Sequence, residues 1–214
     1  MTSPRAASPI ASNRQIWLAS ASPRRRDLLA SVGLEPARVV AADIDETPLR
    51  GELPAALALR LAQSKAAKIA ANCDDDNVIV LAADTVVSVG RRILPKTETP
   101  DEARACLQLL SGRGHRVQTG IACICGDRQS SRVVRSRVRI KPLSEGDINA
   151  YLACGEWQGK AGGYAIQGRA AIFVTGLVGS YSNIVGLPLY ETAQILTGLG
   201  VSMPNIISAG GGEQ

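Results

Sequence analysis

The apolar and polar positions divide the chain into short strands and amphipathic helices. Ile16-Trp17-Leu18-Ala19 predicts a first strand, closed by Ser20-Ala21-Ser22-Pro23. Ser22 suits an N-cap and Pro23 the first helical position. Leu28, Leu29 and Val32 give that helix an apolar face, and Gly33 closes it. Val39 to Ala42 predicts a second strand. A long helix is expected from Pro54 to about Ala71, with Leu57 and Leu61 one turn apart. Lys65 extends that stripe, so it is expected to point inward.

Val78 to Ala83 is an unbroken apolar run, the pattern of a central strand buried on both faces, with Asp84 at its end. Val86 to Val89, Gly90-Arg91 and Ile93-Leu94 then predict a hairpin. Thr99 and Glu102 form a capping-box pattern for a helix to Leu110, and Ser111-Gly112 stops it. Val117 to Cys125 and Arg132 to Lys141 predict further strands. In the second, Val134, Ser136, Val138 and Ile140 alternate with Arg135, Arg137, Arg139 and Lys141, a sheet with one wet, basic face. Ser144 starts a helix to Cys154. A glycine-rich stretch, Gly159 to Gly168, leads to Ala171–Val174, and a last helix spans Leu189 to Leu199.

This order of elements predicts an α/β fold: a mixed sheet with flanking helices, without a strict β-α-β rhythm. Residues 15–205 read as one domain. Residues 1–14 read as a flexible tail without the apolar centre of a secretory signal, and residues 206–214 as a second, glycine-rich tail.

Composition narrows the function. Aromatics make up 3% of 214 residues, so stacking platforms for nucleic acid are few. A net charge of +5 suits a polyanionic ligand. Five cysteines without a CxxC, and a single histidine, His115, argue against a zinc site. Cys123 and Cys125 share one face of a strand and read as buried thiols, which fits a reducing cytoplasm. No apolar run reaches the roughly 20 residues a membrane span needs.

Three segments carry candidate chemistry. Ser20 to Arg25 brings hydroxyls and guanidiniums to a helix start, where unpaired N–H groups favour an anion and arginine forks fit phosphate. Asp84 is placed to activate water or hold a divalent cation, with further carboxylates in Asp43-Ile44-Asp45-Glu46. Lys65 and Lys96 are candidate phosphate contacts. Gly162 to Gly168 lets backbone approach a ligand, and Gln167 offers a donor and an acceptor to a base. No Ser-His-Asp set, P-loop or GxGxxG is present, so a covalent intermediate is unsupported.

Five ordered segments together resemble the Maf family of nucleotide pyrophosphatases: Leu18 to Arg25, Ala62 to Ala66, Ala83 to Val87, Lys160 to Gly168 and Gly179 to Leu189. The resemblance implies a two-lobed, inosine-triphosphatase-like fold with a central cleft, often dimeric. It implies hydrolysis of a nucleoside triphosphate to the monophosphate and pyrophosphate with Mg2+, Mn2+ or Co2+. By the same resemblance Asp84 is the general base. Ser20, Arg25, Lys65 and Lys96 handle phosphates, and Glu46 joins Asp84 near the metal. Arg24, Thr85 and Gln167 match the branch acting on dTTP and UTP. One departure is Lys96, which is followed by Thr97 where the family has Lys-Pro. The alternatives are a pyrophosphatase that clears modified pyrimidine nucleotides, a 7-methyl-GTP pyrophosphatase, and a protein without turnover that binds nucleic acid through the arginine face or regulates septum formation.

Overall fold

The computed structural model describes residues 14–203; both expected tails, Arg14 apart, lie outside the described residues. Among the described residues nine strands and six α-helices follow in order: β1 (Gln15–Ala19), α1 (Pro23–Ala30), β2 (Arg38–Val40), α2 (Pro54–Ala70), β3 (Val78–Val89), β4 (Arg92–Leu94), β5 (Lys96–Thr97), α3 (Pro100–Leu110), β6 (Gly114–Cys125), β7 (Arg128–Ile140), α4 (Glu145–Ala153), β8 (Lys160–Ala161), β9 (Val174–Val178), α5 (Tyr181–Val185) and α6 (Leu189–Gly198). A 3-10 turn, Arg169–Phe173, precedes β9.

The main sheet runs β2-β1-β3-β6-β7-β9, with β4 paired to β3. β1 is parallel to β2 and β3, whereas β3-β6, β6-β7 and β7-β9 are antiparallel. The expected mixed α/β sheet is therefore observed. β5 and β8 form a separate two-stranded sheet.

Asp84 corrects the expected boundary. It does not end a strand: β3 continues through it to Val89, with Asp84 opposite Gly120 of β6. A charge is tolerated there because Lys65 of α2 meets the carboxylate at 2.5 Å. Val86 to Val89 is thus the second half of the same strand, and the hairpin turns at Gly90-Arg91 into β4. Further boundaries move as well. β2 ends at Val40, α1 ends at Ala30 before Val32, and Arg169 to Phe173 is a 3-10 turn before β9.

The capping box at Thr99 and Glu102 forms as expected, and a second closes on Ser144 and Asp147. Val138 and Ile140 of β7 are buried while Arg135, Arg137 and Arg139 are exposed, as the alternation predicts.

Two large apolar clusters lie on either side of the site. One includes Leu107, Val117, Val138, Trp157 and Phe173. The other includes Leu18, Leu29, Leu81, Ile121 and Leu196. On the opposite face of β1 and β3 from the second cluster, α2 lies close on the sheet because small residues face each other: Ala62 and Ala66 against Ala19, Ala82 and Ala122. The closest approach is at Gly120, where a Cβ would overlap the Ala58 carbonyl. That approach brings Lys65 over Asp84.

Gly120→Ala is expected to destabilise the fold by about 3 kcal/mol, since backbone of α2 would have to move. A thermal melt should show a Tm lower by roughly 5–10 °C. An unchanged Tm would mean that α2 can back away freely.

Candidate active site

A cavity of about 660 Å³ opens at the C-terminal end of β1, within the range of small-molecule sites. All nine candidate site residues, Ser20, Arg24, Arg25, Glu46, Lys65, Asp84, Thr85, Lys96 and Gln167, line it.

The floor is an ionic cluster. Lys65 is buried, with Nζ 2.5 Å from Asp84 Oδ1 and 2.6 Å from Glu46 Oε1. Lys96 pairs with the other oxygen of Glu46. Burial acts to raise the Glu46 carboxyl, but hydrogen bonds from Lys65 and Lys96 outweigh it and hold it below its usual value. Within the acidic stretch, Glu46 is half-buried on the cavity while Asp43 and Asp45 are exposed, which separates the site residue from its solvated neighbours.

Arg25 is positioned by three hydrogen bonds. Nε donates to the Gly186 carbonyl at 2.8 Å, Nη1 to Ser20 Oγ at 3.0 Å and Nη2 to Thr85 Oγ1 at 3.3 Å. Each Nη keeps one further proton for a ligand. Ser22 occupies the N-cap of α1 without a side-chain cap bond, and its N–H donates to Ser20 Oγ instead. The Gly186 carbonyl is set by α5, whose Asn183 is fully buried and donates to the Val117 carbonyl and Ser136 Oγ.

Lys96 reaches the cluster although Thr97 follows it. Thr97 Oγ1 donates to the Trp157 carbonyl at 2.8 Å, and the Gly159 N–H donates to the Thr97 carbonyl. A buried hydroxyl thus anchors β5 where a proline was expected.

The opposite wall is built by residues 156–168. Glu156 Oε2 accepts the Arg169 N–H at 2.7 Å. Gly168 packs on this carboxylate so closely that a Cβ would overlap it. Lys160 Nζ donates to the Gln158 carbonyl at 2.9 Å. Burial, then the charge of Arg24, push the Lys160 ammonium down, with Glu156 opposing. Arg24 has a buried Nε without a partner among the described residues.

Behind this wall sits His115, which carries no sequence-derived role. It is 1% exposed, and Nε2 lies 2.7 Å from the hydroxyl of Tyr164, edge-on at 5.4 Å between ring centres. His115 and Glu156 lie outside the motif segments, whereas Lys160 and Asn183 lie within them without an assigned role.

Glu46 and Asp84 fit a hard divalent cation. Two carboxylate oxygens that share one ammonium are close enough to share a small cation, and such ions often take one or two carboxylates plus substrate phosphates. No group of three or more His, Cys, Asp or Glu side chains suited to a metal occurs among the described residues.

The family model "Maf-like protein" matches residues 15–199, and the chain belongs to that family. It is 58% identical to the dTTP/UTP pyrophosphatase of Maricaulis maris (strain MCS10), covering 96% of this chain and 98% of that protein. It is 57% identical to the dTTP/UTP pyrophosphatase of Caulobacter vibrioides (strain ATCC 19089 / CIP 103742 / CB 15), covering 89% and 98%. The structure of a HAM1 protein from Coxiella burnetii is a remoter likeness: 16% identity, TM-score 0.48, covering 87% of this chain and 100% of that one.

Burial pushes the His115 imidazole down to about 4. Its folded pKa lies below the unfolded value of about 6.5, so between these the unfolded chain binds a proton that the folded chain does not. Stability therefore rises with pH through this window, by roughly 3 kcal/mol in all, and falls on acidification. NMR of the single histidine should show no titration between pH 8 and about 5. A midpoint near 6.5 in the folded protein would contradict the buried, neutral ring.

Proposed function

We propose that this chain hydrolyses dTTP and UTP to the nucleoside monophosphate and pyrophosphate. The observation that carries this reading is the Asp84–Lys65–Glu46 cluster on the floor of a cationic cavity, in a member of the Maf family.

Charge favours the substrate. Arg24, Arg25, Lys65 and Lys96 outnumber Glu46 and Asp84 by two, whereas a triphosphate carries about four negative charges. A divalent cation, held by Glu46 and Asp84, would neutralise the remainder and draw electron density from the phosphoryl oxygens. Mg2+, Mn2+ and Co2+ all suit the oxygen donors.

The residues divide the work. Asp84 accepts a proton from water as the water oxygen attacks the α-phosphorus. The bond from that phosphorus to the α–β bridging oxygen breaks, and the bridging oxygen leaves with pyrophosphate. Lys65 holds Asp84 and Glu46 together. Arg25 and Ser20 orient phosphate oxygens, and Lys96 faces the leaving group. Arg24, Thr85 and Gln167 set substrate preference, Thr85 by fixing Arg25.

The reading extends to a homodimer in the cytoplasm. Five free thiols support the reducing setting. No helix among the described residues is long and apolar enough to cross a membrane. A 7-methyl-GTP substrate, nucleic-acid binding through the arginine face and septum regulation without turnover are not favoured.

Asp84→Asn should lower kcat by about 100- to 10,000-fold while leaving nucleotide binding partly intact, read as pyrophosphate release from UTP. Near-normal kcat would remove Asp84 from the base role. EDTA should abolish turnover in the unaltered protein, and turnover undiminished in EDTA would remove the cation. Sedimentation should give twice the chain mass; a monomer at assay concentration would overturn the dimer.

A further inference from the structure

We infer that Glu156 and Lys160 read the base: the Glu156 carboxylate accepts the N3–H of uracil or thymine while the Lys160 ammonium donates to an adjoining ring carbonyl. This rests on the proposed dTTP/UTP pyrophosphatase reading and adds two residues to those that set its preference.

The argument starts from what dTTP and UTP share. They differ at C5 and at the 2′ position but present the same edge, with an N–H donor between two carbonyl acceptors. Cytosine has a bare nitrogen acceptor at N3 and an amino donor in place of one carbonyl. A site that separates the two needs an obligate acceptor beside an obligate donor. A carboxylate only accepts and an ammonium only donates. Gln167 lacks this property, because its amide can turn over and present either polarity.

Glu156 and Lys160 both line the cavity, and neither takes part in the Asp84–Lys65–Glu46 ion pairs. Neither is used by the phosphate chemistry. Glu156 is held rigidly. Oε2 is occupied by the Arg169 N–H at 2.7 Å, and the Gly168 backbone lies against the carboxylate. Oε1 has no hydrogen-bond partner among the described residues, so one acceptor is fixed and free. Lys160 spends one proton on the Gln158 carbonyl and retains two. The two side chains sit at either end of one tight turn, close enough for their charges to act on each other. A preorganised donor–acceptor pair in a cavity loses heavily when the ligand offers the wrong polarity, because its own groups are left unpaired. Guanine also places an N–H beside a carbonyl, so this pair sorts pyrimidines from one another, and exclusion of purines falls to cavity shape.

The test compares kcat/KM for UTP, N3-methyl-UTP and CTP in the full chain with divalent cation, for the unaltered protein and Glu156→Gln. Glutamine keeps an oxygen for the Arg169 N–H, and an unchanged Tm verifies the fold. The unaltered protein should prefer UTP over N3-methyl-UTP by on the order of 100-fold or more, mainly through KM. In Glu156→Gln that ratio should narrow at least tenfold, and the UTP-to-CTP ratio should fall with it, since glutamine can donate to cytosine N3. Equal use of UTP and N3-methyl-UTP by the unaltered protein, or an unchanged ratio in Glu156→Gln, would overturn the proposal while leaving hydrolysis intact. Calorimetric binding of UMP against N3-methyl-UMP separates the claims. A preference for UMP without any turnover would sink the activity and keep the base contact.

Discussion

The site depends on one buried ammonium. Lys65 lies between Asp84 and Glu46, and its charge lets two carboxylates stand together inside the fold. Removing one partner of such a group leaves an uncompensated buried charge, commonly a loss of about 3–5 kcal/mol. The rest of the architecture serves this contact. α2 must lie close on the sheet, which the alanines of its inner face and Gly120 allow. β3 must carry a carboxylate mid-strand, which is tolerable only beneath that helix.

The same cluster explains how a chain with so few aromatics can be selective for an anionic ligand. Its recognition is made of fixed charges and short hydrogen bonds. Arg25 is aimed by Ser20, Thr85 and the Gly186 carbonyl before any ligand arrives. Preorganisation of this sort costs no rearrangement at the moment of reaction, which is where electrostatic catalysis gains most.

Much of this was legible in the sequence because it is written in local patterns. The stripe of Leu57, Leu61 and Lys65 at four-residue spacing placed the lysine inward, and Lys65 is buried. The capping box at Thr99 and the alternation along β7 are likewise short-range signals. Asp84 was located at the wrong point of its strand because apolar continuity broke there. The partner that neutralises it is 19 residues away, beyond any local pattern. His115 was silent for the same reason, since it meets Tyr164 across 49 positions; Asn183 stood within a motif segment, but its tie to Val117 spans 66. Lys96 was readable as a candidate cation, but its anchoring through Thr97 to Trp157 depends on a contact across 60 positions.

The small β5-β8 sheet joins the two ends of the cavity. Its four residues place Lys96 opposite Ala161 and Thr97 opposite Lys160, so the cation beside Glu46 and the backbone of Lys160 belong to one ladder. Whatever holds Lys160 in place therefore also holds the strand that carries Lys96.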